Sequence, residues 1–552
     1  MSPSQFRDRM KMRKAMEAVY PLLMRIAFIT PPIIKPSEPG LSAAAAAQWF
    51  RSRGVDAFAV DASIAWYGHT LSVSNLEAIL AAGEATQAQR QAARHVQEGA
   101  LRKSGTYADR RVYSSACNHL VNALKLASLP KPDFLLRVAD VEWKGRRPQR
   151  SEDLEAAATT PGPYDAYFTE ELIPELLEKG VTHAALSLTF LHQTYAAFRL
   201  AELLRMHAPG IRRWMGGPLV ACWKAVGVPL DAPLFERFHK VCSTSSEVEM
   251  EELALELGGH PGVEPALLAP DLDSTPWAQY LVPQPTIPVA LGRGCYWRRC
   301  TFCPDYLHPK YHPCGTDALE IWLRSVAQRF PGGAMLHLTD SALSPALLDR
   351  VASTVIRHKL PLRWHGFVRL EAGFARPGFA QHLAEGGCTL LQWGLETASA
   401  RLLHLMDKGV GPEQARAVLR ASAAAGIKNH AYLLFGLPTE TEADREETLA
   451  FVQAEADSLH DLNASILNLP RRSPMHEHPE RFGITELRPF GAEADLSLYL
   501  DFRCGESHPR LEARRWIGGR FGRDPIVKRI LGELNNPFKA NHACFLPSGQ
   551  ER

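Results

Sequence analysis

Three cysteines crowd into one short loop. In Leu291–Tyr306, "LGRGCYWRRCTFCPDY", Cys295, Cys300 and Cys303 form a C-x4-C-x2-C array flanked by glycines and aromatics. Thiolates this close in sequence turn toward one centre, and soft thiolates select zinc or an iron–sulfur cluster. A structural zinc site is closed by four ligands, and His308, His312 or Cys314 of "HPKYHPC" are at hand for the fourth. A four-iron cluster on three cysteines instead leaves one iron open to a substrate or cofactor. No candidate fourth ligand stands at a regular zinc spacing, which favours the cluster and leaves zinc as the competing reading.

The chain around this loop alternates strand and helix. "PVALGRG" precedes the cysteines. After them come "AMLHLTD", "LRWHGFVRLE", "TLLQWGLET", "KNHAYLLFGLP" and "DLNASILNLP", with helical stretches between. Six parallel strands of this kind curl into a (β/α)6 partial barrel over 289–485, with the site at the carboxyl ends of the strands. The cysteine loop follows the first strand and so lands on that rim.

Upstream, "RIAFIT", an Ala-rich helix and "VDAFAVDAS" open a doubly wound, Rossmann-like sheet. The pattern resumes at "GVTHAALSLTF", "IRRWMGGPLVA" and "FHKVCSTSSEVEM". This domain spans 25–269. An insertion over about 71–163 reads as helices with a polar linker and carries no evident chemistry. Residues 270–288 read as a Pro-rich connector. The segment 486–552 is a C-terminal extension whose "NPFKANHACFLP" is expected to dock back on a domain, with Trp516 facing a core. Residues 1–24 read as an N-terminal extension, with Met24 a competing start to Met1.

Lys and Arg number 62 against 60 for Asp and Glu, so no net field draws nucleic acid or anionic lipid. No apolar run approaches a membrane span and no signal peptide is read, so neither membrane nor nucleic acid is an expected partner. Ten cysteines, three clustered and the rest scattered, suit a reducing cytoplasm.

"GCYWRRCTFC" resembles the cluster loop of the radical SAM superfamily, in the variant spacing of its cobalamin-binding subfamilies. The resemblance implies a [4Fe-4S] cluster on Cys295, Cys300 and Cys303 as metal ligands and catalytic centre. The open iron would chelate S-adenosylmethionine, which one electron cleaves to a 5′-deoxyadenosyl radical. It further implies Phe302 at the adenine, Thr339 and Asp340 at the methionine end, and Arg369 on the cofactor carboxylate. Glu396 would meet the ribose, with Leu434 and Gly436 as backbone partners near the adenine. "MDKG" and "LPRRSPM" are further landmarks of the resemblance.

Residues 25–259 resemble the cobalamin-binding domain that precedes many such barrels, through the order of "PPIIKPSEPG", "SLTF", "MGGP" and a later Glu. This implies Ser187, Thr189, Gly216, Gly217 and Glu247 around a cobalamin. The D-x-H-x-x-G motif that supplies a lower histidine to cobalt is absent.

Taken together, the resemblance implies a cobalamin-dependent methyltransferase acting on an unactivated carbon of a natural-product or peptide substrate, fed by a donor such as flavodoxin or ferredoxin. Competing readings are a radical cyclase or rearrangement enzyme, with or without corrinoid, and a zinc-stabilised binding protein. Methylthio-transfer to transfer RNA is disfavoured, because Cys117, Cys222 and Cys242 are widely separated. His337, His365 and His430, within strands, read as satisfied packing residues. Cys314 and Cys388 read as plain buried thiols.

Overall fold

The computed structural model describes residues 24–83, 85–243, 247–262, 267–304, 310–491, 493–531 and 536–547, with backbone only for 247–249. Met1–Leu23 and His308 lie outside them.

The amino-terminal half contains β1 (Arg25–Thr30), β2 (Asp56–Asp61), β3 (Phe134–Arg137), β4 (Asp140–Trp143), β5 (His183–Ser187), β6 (Arg212–Gly216) and β7 (Lys240–Val241). Five of them form a parallel sheet in the order β2-β1-β5-β6-β7. Alternate residues of β1 serve two cores. Ile26 and Phe28 pack with Ala43, Ala47 and Phe50 of the helix Leu41–Arg51. Ala27 and Ile29 face Trp66 of the helix after β2 and Tyr113 and Leu120 of the insertion. Burial on both faces explains the unbroken apolar run. The strand order reverses between β1 and β5, and such a switch point opens a ligand crevice beyond the carboxyl ends.

The insertion is more than helices. β3 and β4 form an antiparallel hairpin in which Phe134 and Trp143 stack at 4.8 Å. Its strands are four residues each and flanked by charge, too short for the alternation to stand out. That corrects the all-helical expectation.

The second half contains β8 (Thr286–Val289), β9 (Gly292–Arg293), β10 (His312–Pro313), β11 (Ala334–Leu343), β12 (Leu362–Val368), β13 (Cys388–Glu396), β14 (Lys428–Phe435) and β15 (Asp461–Ile466). Six are parallel in the order β8-β11-β12-β13-β14-β15, the partial barrel the alternation predicts. Helices return the chain between consecutive strands from β11 onward. They begin at side-chain caps where the sequence supplies them: Ser344 Oγ accepts from Leu347 N, and Thr441 and Asp444 form a capping box. β8 starts at Thr286, inside the stretch expected to be connector.

Beyond the barrel, β16 (Leu469–Pro470), β17 (Glu486–Pro489) and β18 (Tyr499–Arg503) form a small antiparallel sheet. The helix Pro509–Trp516 buries Trp516 in the barrel core. The last described segment, 536–547, threads between the halves. Lys428 Nζ, at the start of β14, donates to the carbonyls of Ala543 (3.2 Å), Cys544 (3.0 Å) and Leu546. Asn541 Nδ2 donates to Ser37 Oγ at 3.2 Å. Among the described residues no helix is long and apolar enough to cross a membrane.

Candidate active site

The cysteine loop leaves the sheet at β9 and returns at β10, which pair antiparallel and pinch its base. It is then strapped to the segment after β13. Thr301 N donates to Met406 O at 3.0 Å, Thr301 Oγ1 to Leu405 O at 3.0 Å, and Trp297 Nε1 to Asp407 O at 2.8 Å. Arg299 pairs with Asp407 at 3.0 Å. The close approach needs Gly409: a Cβ there would lie 2.2 Å from the Trp297 ring, and its φ is +65°.

Cys295 is buried, and Cys300 and Cys303 half-buried. Burial pushes the Cys303 thiol up to about 12 and raises Cys300 as well, while Lys408 and Arg369 oppose the rise. The thiols are thus held as neutral acids beside two cations, a setting in which a thiophilic metal displaces the protons. Among the described residues no three His, Cys, Asp or Glu side chains are gathered on one metal position. Neither His312 nor Cys314 joins the trio there. His312 is exposed on β10, and Cys314 packs in the barrel core. A single zinc ion needs its four ligands drawn to one point, whereas a cubane holds its cysteines at separate corners. The donor set and its cationic surroundings fit a cluster that needs three sulfurs.

Around the loop, the expected cofactor residues divide. Phe302 and Leu434 come together on one apolar patch with Leu402, Leu437 and Leu467. Thr339 and Asp340 are adjacent in β11 and point opposite ways, as strand residues must. Thr339 lines a large cavity. Asp340 turns to the cysteine loop, where Oδ2 accepts from Leu291 N at 2.9 Å and Oδ1 has no partner among the described residues. Burial pushes its carboxyl up to about 6.

Arg369 sits against the cysteine loop. It lies one residue past β12, and its donors are already engaged: Nη1 on Cys300 Sγ at 3.7 Å, Nε on Glu371 at 3.2 Å, and Nη2 on the Lys408 carbonyl. Its guanidinium also stacks 4.1 Å from the Trp297 ring centre. These contacts brace the cysteine loop. Glu396, the last residue of β13, pairs with the buried Lys408 at 3.1 Å. Lys408 lies within the "MDKG" landmark but was not singled out by sequence. Gly436 departs too. Its N–H donates to Glu440 Oε2 at 2.7 Å, and the close neighbours its missing side chain admits are Pro509 and Ala513 of the C-terminal extension, not a cofactor ring.

The two halves face each other across a cavity of about 1840 Å³. On one wall are the carboxyl ends of β5 and β6: Ser187, Thr189, Gly216 and Gly217. Ser187 and Thr189 are tied through Ser42 Oγ, each at 3.0 Å. Gly217 has φ +101°, and a Cβ there would strike the Leu188 backbone at 2.6 Å, so only glycine lets this turn close. The Glu247 side chain lies outside the described atoms. The opposite wall is barrel: Arg293, Thr339, Phe367, Gln392 and Tyr432.

The histidines are a further correction. His337 and His365 stack at 4.5 Å, and His430 stacks on Tyr432 at 4.8 Å. They pack, but they are not satisfied. Both ring nitrogens of His365 and of His430, and Nε2 of His337, have no hydrogen-bond partner among the described residues. Asp461 Oδ2 is 3.2 Å from His430 Nδ1, but out of line for a hydrogen bond. Burial holds the His365 ring neutral, its pKa well below the usual range. His337 Nδ1 is 2.9 Å from both oxygens of Glu38, a bond between the two halves. Lys35, Glu38 and Lys539 also line the cavity. Sequence gave no signal for them beyond the position of the β1 loop. Cys314 and Cys388 are buried in the barrel core, in keeping with plain thiols.

A half-barrel with a cysteine trio at the carboxyl ends of its strands presents a thiolate donor set for a metal cluster. Residues 289–452 match the family described as the Radical SAM superfamily. The match takes in the cysteine loop and the strands from β9 to β14. An uncharacterized methyltransferase of Pyrococcus horikoshii is 31% identical over 74 residues, which is 13% of this chain and 16% of that protein. Among solved structures, the cobalamin-dependent S-adenosylmethionine radical enzyme OxsB with aqua-cobalamin is similar at TM-score 0.48 and 16% identity, over 64% of this chain and 60% of that one. The radical S-adenosylmethionine methyltransferase TsrM from Kitasatospora setae, with cobalamin and a [4Fe-4S] cluster, is similar at TM-score 0.42 and 17% identity, over 64% of this chain and 78% of that one. The chain thus spans well under two thirds of the curated relative and about 60% of OxsB.

Proposed function

We propose that the protein is a cobalamin-dependent radical SAM methyltransferase acting on an unactivated carbon of a small-molecule or peptide substrate. The observation that carries this reading is the large cavity between the two rims. At about 1840 Å³ it exceeds the ~300–1,000 Å³ of an ordinary ligand site, and leaves room for a large planar cofactor beside a substrate. At the carboxyl ends of β5 and β6 its first-domain wall presents the small and hydroxyl residues Ser187, Thr189, Gly216 and Gly217, with Trp49, Phe190 and Trp214 also lining it.

When bound, the cluster with S-adenosylmethionine supplies a carbon-centred radical, and a corrinoid supplies the methyl group. The protein's part is placement. Cys295, Cys300 and Cys303 would hold the cluster, with Arg369 and Lys408 offsetting its negative charge. Phe302 and Leu434 offer an apolar seat for the adenine. Ser187, Thr189, Gly216 and Gly217 would carry the corrinoid. His192, which also lines the cavity, engages the Ile33 carbonyl through Nε2 at 2.8 Å, so that nitrogen is not offered to a cobalt. A small flavodoxin or ferredoxin is the expected electron donor. All ten cysteines are free thiols, which supports work in a reducing compartment.

The test is anaerobic reconstitution of the full chain with iron, sulfide and hydroxocobalamin, followed by gel filtration. The expected product carries about four irons, retains corrinoid absorbance and releases 5′-deoxyadenosine on reduction with S-adenosylmethionine. Cys300→Ala loses both iron and nucleoside. Loss of corrinoid on the column with nucleoside retained would leave a corrinoid-free radical enzyme. A colourless chain carrying zinc would end the radical reading altogether.

A further inference from the structure

Three segments remote in sequence meet at the barrel end of the cavity. The loop after β1 brings Lys35 and Glu38, β11 brings His337, and the C-terminal segment brings Lys539, Ala540 and Asn541. Glu38 is the one acid among the described lining residues, against Lys35, Lys224, Arg293, Lys310 and Lys539. Both Glu38 oxygens are already drawn to His337 Nδ1. Lys35 and Lys539 have no ion pair with any described residue.

We propose that Lys35 and Lys539, above the His337–His365 stack, form an anion subsite that takes a carboxylate or phosphate of the substrate. The proposal rests on reading the cavity as the reaction chamber. Two ammonium groups facing one cavity repel each other, and an anion between them relieves the cost. Burial and the neighbouring Lys539 both lower the Lys35 pKa, and Glu38 raises it. The backbone is set for this display. Lys539 sits at φ +56°, a conformation rare for a residue with a side chain. Asn536 Oδ1 holds it there, accepting from Phe538 N at 3.1 Å and Lys539 N at 3.0 Å, and from the Tyr113 hydroxyl at 2.7 Å. Phe367 and Tyr432 line the same cavity from the barrel side and would flank the apolar body of the substrate, leaving its charged end at the two lysines. An anion so anchored fixes which carbon faces the cysteine rim.

The phosphodiester of a corrinoid is a second source of the same chemistry, and the test separates the two. The full chain, reconstituted with its cluster, is titrated calorimetrically with inorganic phosphate, with and without saturating hydroxocobalamin. One saturable phosphate per chain is expected, with affinity indifferent to hydroxocobalamin. Lys35→Gln and Lys539→Gln each weaken it by about tenfold. Lys35→Arg keeps it within about threefold, and Lys224→Gln, at the far wall, leaves it unchanged. Iron content and melting temperature verify that each variant is folded. No saturable uptake, or equal uptake in the two Gln variants, overturns the subsite. Competition by hydroxocobalamin assigns the anion to the corrinoid and overturns the substrate assignment. Corrinoid retention and 5′-deoxyadenosine release report on the methyl-transfer reading separately, so phosphate binding without them sinks that reading and not this one.

Discussion

Lys408 Nζ lies 3.1 Å from Glu396 Oε1, and both side chains are shielded from solvent between the cysteine loop and the end of β13. Removing one partner of a buried pair strands the other charge, at a cost of about 3–5 kcal/mol. Lys408→Met should therefore lower the melting temperature sharply, and Lys408→Met/Glu396→Leu should recover most of the loss. Thermal denaturation of the full chain reads both. A single variant as stable as wild type would show that the pair is solvated in solution.

Gly409→Ala places a methyl group inside the Trp297 indole. The loop must then lift from Asp407, so iron loading should fall several-fold. Gly411→Ala is the control, since nothing lies within 4 Å of a Cβ there. Equal iron content in the two variants would mean that the strap does not hold the cysteines.

Asp340 gives a pH signature. Burial raises its carboxyl from 3.8 to about 6 in the folded chain, so the folded state keeps its proton longer than the unfolded state. Its contribution is intact below about pH 4 and is lost as pH rises toward about 6. Asp340→Asn keeps an oxygen for the Leu291 N–H and removes the charge. The variant should match wild type near pH 4 and be more stable by about 2 kcal/mol at pH 7. A melting-temperature difference independent of pH between 4 and 7 would contradict this.

Lys428→Met removes the donor shared by the carbonyls of Ala543, Cys544 and Leu546. Each buried acceptor left without a partner costs about 1–3 kcal/mol, so the C-terminal segment should release first. Limited proteolysis is expected to clip the variant near residue 536 at a denaturant concentration that wild type resists. An unchanged cleavage pattern would place the anchor elsewhere, in the Phe538–His542 stack.

Much of the architecture was legible because parallel strands buried on both faces leave continuous apolar runs, as in "RIAFIT" and "AMLHLTD", and amphipathic helices separate them. The cysteine spacing marked the metal loop for the same local reason: its ligands are close in sequence. The β3–β4 hairpin escaped because four-residue strands carry almost no period. Arg369 was legible as a residue near the loop, but its bracing contacts were not. Glu371 is two residues away, but Cys300 and Lys408 come from two remote segments, and those contacts are not encoded beside it.

The sequence by itself determined two wound sheets, the half-barrel and a thiolate trio at its rim, since each depends on periodicity or spacing within a few residues. Only the tertiary structure decided how the rims enclose one chamber and which charges line it. Lys35, His337 and Lys539 belong to segments hundreds of residues apart, and nothing in a local pattern says that such side chains will share a wall. That juxtaposition follows from the closure of one sheet upon another and from a C-terminal segment threaded between them.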